Sequence, residues 1–305
     1  MTQQTYPIGT PGVPWTAAEK AAWLRQQKHQ RSYEADVLSK IAQLRDQCTV
    51  TQYGQLDYGT HHYALRALRS SDWKDGRPIV LITGGVHGYE TSGVHGALRF
   101  VREHIHRYAG RINMLVAPCI SPWSYETIQR WNPQAIDPNR SFRKDSPCEE
   151  SAALLRLIAP IRDQIRVHID LHETTDTDES EFRPARAARD GEDFVPDVIP
   201  DGFYLVDDRE APRTDFQTAV IDAVSSVTHI ALPDQDGQII GSPVVAPGVI
   251  QYALKRLGLC AGITDAVFKT TTEVYPDSPR TNADECTLAQ VAAACAAIEF
   301  SLAKD

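Results

Sequence analysis

Strand-like and helix-like stretches alternate along the middle of the chain. The runs "RPIVLITGG", "RINMLVAPCI" and "RVHIDLH" have the apolar, β-branched composition of buried strands, and "TSGVHGALRFVREHIHRY" has the length of a helix. Strands that alternate with helices form parallel sheets, because each crossover helix covers a face of the sheet. The alternation therefore predicts an α/β fold with a largely parallel central sheet.

The segment before these strands predicts helices and then a hairpin. Thr16 and Glu19 have the spacing of a capping box, and residues 32–47 carry an apolar stripe. "TVTQYGQLDY" and "HHYALRALRS" then predict two paired strands. Because no repeat or flexible linker interrupts the chain, we expect a single domain over residues 1–305, with a helical segment at about 14–47.

A further helix start is predicted after a long loop that reaches residue 147. Ser146 has the chemistry of an N-cap, Pro147 suits the first helical position, and Glu149 completes the spacing of a capping box.

Composition excludes some partners. A net charge of −9 argues against general nucleic-acid binding and against docking on anionic membranes. No basic region followed by an apolar stretch opens the chain, and we expect no stretch that approaches the ~18 apolar residues of a membrane span. The six cysteines are scattered, as is typical of free thiols in a reducing compartment, so we expect a cytoplasmic protein.

His87 and Glu90 follow directly after the first apolar strand and a pair of glycines. At this spacing on one turn, an imidazole and a carboxylate can reach the same cation, and both are zinc ligands. The motif HxxE alone is weak, since it also occurs in ordinary surface turns, and a third ligand has to come from elsewhere in the chain.

The third ligand is expected at the end of another strand, and "RVHIDLHETTD" provides His172 there. His168 lies four residues earlier, deeper in the same strand, where a hydrogen-bonded core histidine is the usual finding. The other histidines fall on hairpin or helix positions, where we expect packed or solvated side chains and not metal ligands. They are His61, His62, His95, His104 and His106.

The loop "WNPQAIDPNRSFR" holds Asp137, Asn139 and Arg140 between two aromatic residues. Its simplest interpretation is a proline-rich turn with local hydrogen bonds, but the planar guanidinium of Arg140 also suits a carboxylate. The acidic residues of the stretch 176–181 are expected in a solvated loop, or lining a cleft that would then favour basic substrates.

A carboxylate in the strand-like run "VFKTTTEVY" is costly unless it has a function, which makes Glu273 the candidate general base. Its rival is Glu173, which follows His172 directly. On a continuing strand Glu173 would point to the opposite face, so Glu273 is preferred.

Together these motifs resemble the zinc carboxypeptidase family, carboxypeptidase A-like, with its relatives the aspartoacylases and succinylglutamate desuccinylases. "HGYE", "DPNRSF", "IDLH" and "TTTEV" stand in the family's order over most of the chain. The resemblance implies a three-layer α/β/α fold with a mixed, largely parallel sheet. It also implies one Zn²⁺ held by His87, Glu90 and His172.

The resemblance further implies roles for the remaining site residues. Asn139 and Arg140 would bind a substrate carboxylate, and Asp137 would hydrogen-bond a zinc-binding histidine. Arg130 would polarise the scissile carbonyl, and Glu273 would serve as the catalytic base.

Three functions are compatible with these residues. The first is a zinc metallocarboxypeptidase that hydrolyses a C-terminal peptide bond with metal-activated water. The second is an N-acyl amino acid amidohydrolase of the aspartoacylase or desuccinylase type. The third is a non-catalytic zinc-binding protein, which the presence of Glu273, Arg130 and Arg140 disfavours. The 86 residues before His87 favour the peptidase, whose substrate would be a peptide with a free carboxylate.

Overall fold

A computed structural model describes residues 6–304. Its strands are β1 (Cys48–Tyr58), β2 (His61–Ser70), β3 (Ile79–Gly84), β4 (Asn113–Ala117), β5 (Ile165–Glu173), β6 (Tyr204–Asp208), β7 (Gln238–Ile239), β8 (Ser242–Pro243), β9 (Val249–Tyr252) and β10 (Phe268–Val274). Its α-helices are α1 (Ala17–Gln26), α2 (Ser39–Gln43), α3 (Thr91–His104), α4 (Pro122–Thr127), α5 (Glu149–Ile158), α6 (Arg183–Asp190), α7 (Thr214–Val224) and α8 (Ala283–Leu302).

Eight strands form one mixed sheet in the order β1-β2-β4-β3-β5-β10-β6-β9. The central strands β4, β3, β5 and β10 run parallel to one another. Strand β2 pairs antiparallel with both β1 and β4, and β6 pairs antiparallel with β10 and parallel with β9. The predicted hairpin is the antiparallel pair β1 and β2. The mixed, largely parallel sheet is thus confirmed.

Side chains alternate between the two faces of β3, as the pleat of a strand requires. Val80 and Ile82 join a hydrophobic cluster with residues of α3 and α8. Ile79 and Leu81 join a second cluster that includes Leu154 of α5. Because helices cover both faces, the three-layer α/β/α architecture is confirmed.

The N-terminal helical segment differs in part from its prediction. Thr16 caps α1, and its capping box with Glu19 is present. The second predicted helix is shorter, since a π-helical turn at Glu34–Leu38 leads into α2 and the chain then turns into β1. The apolar stripe persists because Val37 and Ile41 are both buried.

The predicted capping at Ser146 is wrong by two residues. Helix α5 begins at Glu149, with Cys148 as its N-cap residue. The hydroxyl of Ser146 both accepts from the backbone N–H of Cys148 and donates to its carbonyl, so it is used within its own turn. The carboxylate of Glu149 lies 3.6 Å from Arg156 instead of completing a box.

Helix α8 has the length and apolar composition of a membrane span, contrary to the expectation from the sequence. Half of its most apolar window is buried inside the protein. It packs against α3 and α7, where it forms part of the helical layer.

Candidate metal centre and active-site cleft

The turn between β3 and α3 carries His87 and Glu90. Gly85 has a φ of 60°, which lets the chain turn directly after the strand. A Cβ atom on Gly88 would lie 1.9 Å from the carbonyl carbon of Ser124, so no larger residue fits there. The two glycines therefore make the tight turn that brings His87 and Glu90 together.

Three side chains converge at this turn. Nδ1 of His87 lies 2.6 Å from Oε1 of Glu90, and Nδ1 of His172 lies 2.8 Å from Oε2 of the same carboxylate. The three possible ligand atoms lie within 4.8 Å of one another, and all three residues are buried. Within residues 6–304 no other group of three histidine, cysteine or acidic residues has this geometry.

The carboxylate of Glu90 shows that these atoms fit a metal ion. Oε2 has no hydrogen-bond partner although Nδ1 of His172 is 2.8 Å away, so the two atoms do not point at each other. Burial would raise the pKa of Glu90, but His172 and His87 lower it to about 2. Two nitrogens and one carboxylate around a shared point are a typical ligand set for a catalytic Zn²⁺.

Each histidine is held on its outer side by an aspartate. Nε2 of His87 lies 3.1 Å from Oδ1 of Asp137, and Nε2 of His172 lies 2.8 Å from Oδ2 of Asp170. Such contacts orient the imidazole and leave the other nitrogen free for a metal. Asp137 lies where it was predicted, beside a histidine of the group, whereas Asp170 was not among the predicted site residues. The signal was available, since Asp170 and His172 lie two positions apart on one face of a strand.

Arg130 lies behind Asp137 and joins it to the acidic segment. Its Nε donates to Oδ2 of Asp137 over 3.0 Å, and its Nη1 lies 3.3 Å from Oδ1 of Asp178. Asp178 is buried, and it also accepts a hydrogen bond from the hydroxyl of Tyr89 over 2.8 Å. Asp178 is therefore not part of a solvated loop but lines the cleft, which was the alternative expected for this segment, and ion pairing with Arg130 compensates its burial.

The N-terminal segment contributes one residue to the metal turn. Nη1 of Arg31 donates to the carbonyls of Gly88 and Tyr89, over 3.2 and 3.3 Å. These two carbonyls lie between His87 and Glu90. Nothing in the sequence around Arg31 indicated this contact, which arises from chain segments more than fifty residues apart.

Glu173, the rival candidate for the base, is among the residues that line the cleft beside the metal centre, but its carboxylate is engaged at the start of α3. Its Oε1 accepts a hydrogen bond of 2.6 Å from the backbone N–H of Ser92 in the first turn of α3. Glu90 is the N-cap residue of that helix but makes no cap hydrogen bond, since its carboxylate turns to the histidines. Glu173 thus supplies the acceptor that the start of α3 would otherwise lack.

A cleft of about 770 Å³ opens beside the metal centre. Arg140 lines it and forms no ion pair within residues 6–304; its Nη1 donates to the carbonyl of Asn139 over 2.6 Å. Asp137, which could have paired with Arg140, pairs with Arg130 instead. The side-chain amide of Asn139 already has one hydrogen bond within the protein, because its Oδ1 accepts from the backbone N–H of Cys260 over 2.8 Å.

Glu273 lies on β10 directly beside His172 in the parallel register, so both side chains point to the same face of the sheet, and Glu273 lines the cleft. Oε2 of Glu273 accepts a hydrogen bond of 2.9 Å from the hydroxyl of Thr174. Burial raises the pKa of Glu273 to about 8, with Glu90 adding to the rise and His172 opposing it. A carboxyl group with a raised pKa suits proton transfer near neutral pH.

His168 lies apart from the metal centre, in the core of β5. It is fully buried, with Nε2 3.1 Å from the hydroxyl of Thr83 and Nδ1 3.4 Å from that of Thr264. Burial lowers its pKa to about 4. The histidines expected on hairpin and helix positions also lie outside the group of His87, Glu90 and His172. They are His61, His62, His95, His104 and His106.

Solved structures resemble this chain over most of its length. A protein from Shewanella amazonensis, provisionally assigned as a metallopeptidase, matches with a TM-score of 0.63 and 22% identity, covering 90% of this chain and 98% of that one. A metallo-carboxypeptidase from Burkholderia cenocepacia matches with a TM-score of 0.60 and 15% identity, covering 95% and 70%. Carboxypeptidase A from Helicoverpa armigera matches with a TM-score of 0.57 and 12% identity, covering 96% of this chain and 74% of that one.

No protein-family model matches the sequence, and no curated protein matches it. At these identities, the structural matches show the fold. The chain therefore has the α/β fold of the metallo-carboxypeptidases.

Proposed function

We propose that this protein is a zinc metallocarboxypeptidase that removes the C-terminal residue of a peptide. The observation that carries the proposal is Arg140, a guanidinium without an ion pair among the described residues, in the same cleft as the His87, Glu90 and His172 centre. An arginine in this position suits a substrate carboxylate, and it restricts cleavage to the end of a chain.

Each side chain has a defined task in this proposal. A zinc ion held by His87, Glu90 and His172 would polarise the scissile carbonyl and acidify a water molecule. Glu273 would take the proton from that water and pass it to the leaving amine. The terminal carboxylate would pair with Arg140 and receive a further hydrogen bond from the amide of Asn139.

Arg130 is proposed to stabilise charge on the scissile carbonyl oxygen. Its contacts with Asp137 and Asp178 support this, because they hold the guanidinium in one orientation beside the centre. Donors that are already oriented need no reorganisation when charge develops.

The test is to remove the metal with a chelator, restore Zn²⁺, and follow a mixture of peptides by mass spectrometry. We expect zinc-dependent loss of one residue at a time from the C-terminus. Cleavage of N-acyl amino acids without shortening of peptides would favour the amidohydrolase alternative. Binding of zinc without turnover of either class would favour a non-catalytic protein.

A further inference from the structure

A glutamine lies inside the helical layer next to the metal centre. Gln290 is on α8 and is fully buried, whereas the other buried residues of that helix are small or apolar, as Ala289, Ala293 and Ala297 are. Helix α3 passes so close that a Cβ atom on Gly96 would lie 2.6 Å from Cβ of Gln290. A buried amide is costly unless its polar atoms are paired, so the partners of Gln290 indicate what it does.

The amide of Gln290 contacts three elements of the site. Its Nε2 donates to the backbone carbonyl of His172 on β5 over 2.8 Å and to the hydroxyl of Ser92 on α3 over 3.3 Å. Its Oε1 accepts from the hydroxyl of Thr272 on β10 over 2.5 Å. The first partner is a candidate metal ligand, the second lies two positions after another ligand, and the third directly precedes the candidate base. One side chain therefore joins the three elements that carry the reacting groups.

The backbone of His172 is held on both sides by these contacts. Its carbonyl accepts from Gln290, and its N–H donates to the hydroxyl of Thr272 over 3.4 Å. That hydroxyl in turn donates to Gln290. Asp170 orients the imidazole of His172, but the ring can lie only where its own backbone places it, so contacts to the backbone also act on the metal ligand.

We propose that Gln290 is a positioning residue of the metal centre, which fixes the backbone of His172 relative to Glu90 and Glu273. The inference rests on the metal and the base of the proposed function, but not on its substrate. A displacement of about 1 Å at a reacting group can lower a rate by ~10²-fold. A residue that touches neither the metal nor the substrate can therefore affect both metal binding and turnover.

The test compares two buried glutamines, each replaced by methionine, which has a similar length and no amide. Gln217 of α7 is also fully buried, and its Nε2 donates over 2.9 Å to the carbonyl of Lys269, a residue of β10 that does not line the cleft. Gln217→Met is therefore the matched control. Both variants should lower the melting temperature of the metal-free protein, because each loses buried hydrogen bonds.

Only Gln290→Met should change the metal centre. We expect its zinc affinity, measured by competition with a chromophoric chelator, to fall about tenfold. With Co²⁺ in place of zinc, its visible absorption spectrum should differ from that of the wild type, because the spectrum depends on the geometry of the ligands. In the zinc-saturated protein, kcat on a peptide should fall about tenfold while KM stays near the wild-type value, since Arg140 is not affected.

Thr272→Val is a milder variant that removes the hydroxyl between Gln290 and the N–H of His172. Its control is Thr270→Val. Thr270 is also fully buried and lies two positions earlier on β10, but its hydroxyl donates to the carbonyl of the next residue over 3.4 Å. Zinc affinity should fall severalfold in Thr272→Val and stay unchanged in Thr270→Val.

The outcomes separate this inference from the proposed function. Equal zinc affinities and cobalt spectra in Gln290→Met and Gln217→Met overturn the inference, since Gln290 then only stabilises the fold. If Gln290→Met does not fold, equal zinc affinities in the two threonine variants overturn it. A wild type that binds zinc but shortens no peptide overturns the proposed function, and the zinc measurements still decide the role of Gln290.

Discussion

Asp170 and His172 lie two positions apart on β5, and Oδ2 of Asp170 is 2.8 Å from Nε2 of His172. The other oxygen of Asp170 accepts a hydrogen bond of 2.6 Å from the hydroxyl of Thr83, so the carboxylate is fixed on both sides. Burial would lower the pKa of His172, but Glu90 and Asp170 raise it well above its usual value. Asp170 therefore orients the ring so that Nδ1 faces Glu90.

Replacing this carboxylate should weaken metal binding. We expect Asp170→Asn to lower zinc affinity by about 10- to 100-fold, because the amide keeps the shape but not the charge that orients the imidazole. Competition with a chromophoric chelator measures the affinity directly. Asp207→Asn is the control, since Asp207 is also a buried strand aspartate but does not line the cleft. Equal affinities in the wild type and Asp170→Asn would contradict this role.

Arg31 should also affect the metal, although it contacts no ligand side chain. Loss of its hydrogen bonds to the carbonyls of Gly88 and Tyr89 loosens the turn between His87 and Glu90. Arg31→Ala is expected to lower zinc affinity by about tenfold, the lower end of the range for residues that orient metal ligands. Arg77→Ala removes a similar bond to the carbonyl of Asp72, outside the cleft, and should leave zinc affinity unchanged. An equal loss of zinc affinity in both variants would contradict this role and would indicate a general effect on folding.

Glu273→Gln should retain zinc and lose turnover by ~10²-fold or more, the usual scale for a general base. The pH dependence has a defined sign. Burial raises the pKa of Glu273 to about 8, and the base must be ionised to accept a proton, so kcat/KM should rise with pH. A bound zinc cation lowers this pKa, which centres the rise below pH 8. Activity profiles of the zinc-loaded protein between pH 5 and 9 provide the measurement, and an unchanged rising limb in Glu273→Gln would assign the base to another residue.

The sequence predicted the parts of the fold and site that depend on local pattern. The apolar run before Gly84 defines β3, and strand alternation predicted that Glu173 and His172 point to different faces, in line with the hydrogen bond of Glu173 to the start of α3. Thr16 caps its helix because a capping box needs only residues three positions apart. In each case the determining contacts lie within a few residues in the chain.

Contacts between distant segments could not be predicted. Asp178 is buried because Arg130, 48 residues earlier, lies beside it, and Arg31 reaches a turn 57 residues away. Ser146 is not the N-cap residue of α5, because its hydroxyl accepts from the backbone N–H of Cys148 in the preceding turn. That contact depends on how the loop enters α5. The turn between β7 and β8 also has no sequence signal, because Ile240 adopts a φ of 47° there and isoleucine is a poor choice for such a turn.

Arg140 is proposed to bind the free carboxylate of a peptide beside a zinc centre. The most direct measurement is kcat/KM of the zinc-loaded wild type and of Arg140→Ala on one peptide with a free or an amidated C-terminus. Amidation should cost the wild type ~10²-fold or more, as expected from loss of ~3 kcal/mol of a charged contact, and should add little to the defect of Arg140→Ala. Folding and zinc content should be near normal in the variant. Equal cleavage of free and amidated peptides by the wild type would contradict the account.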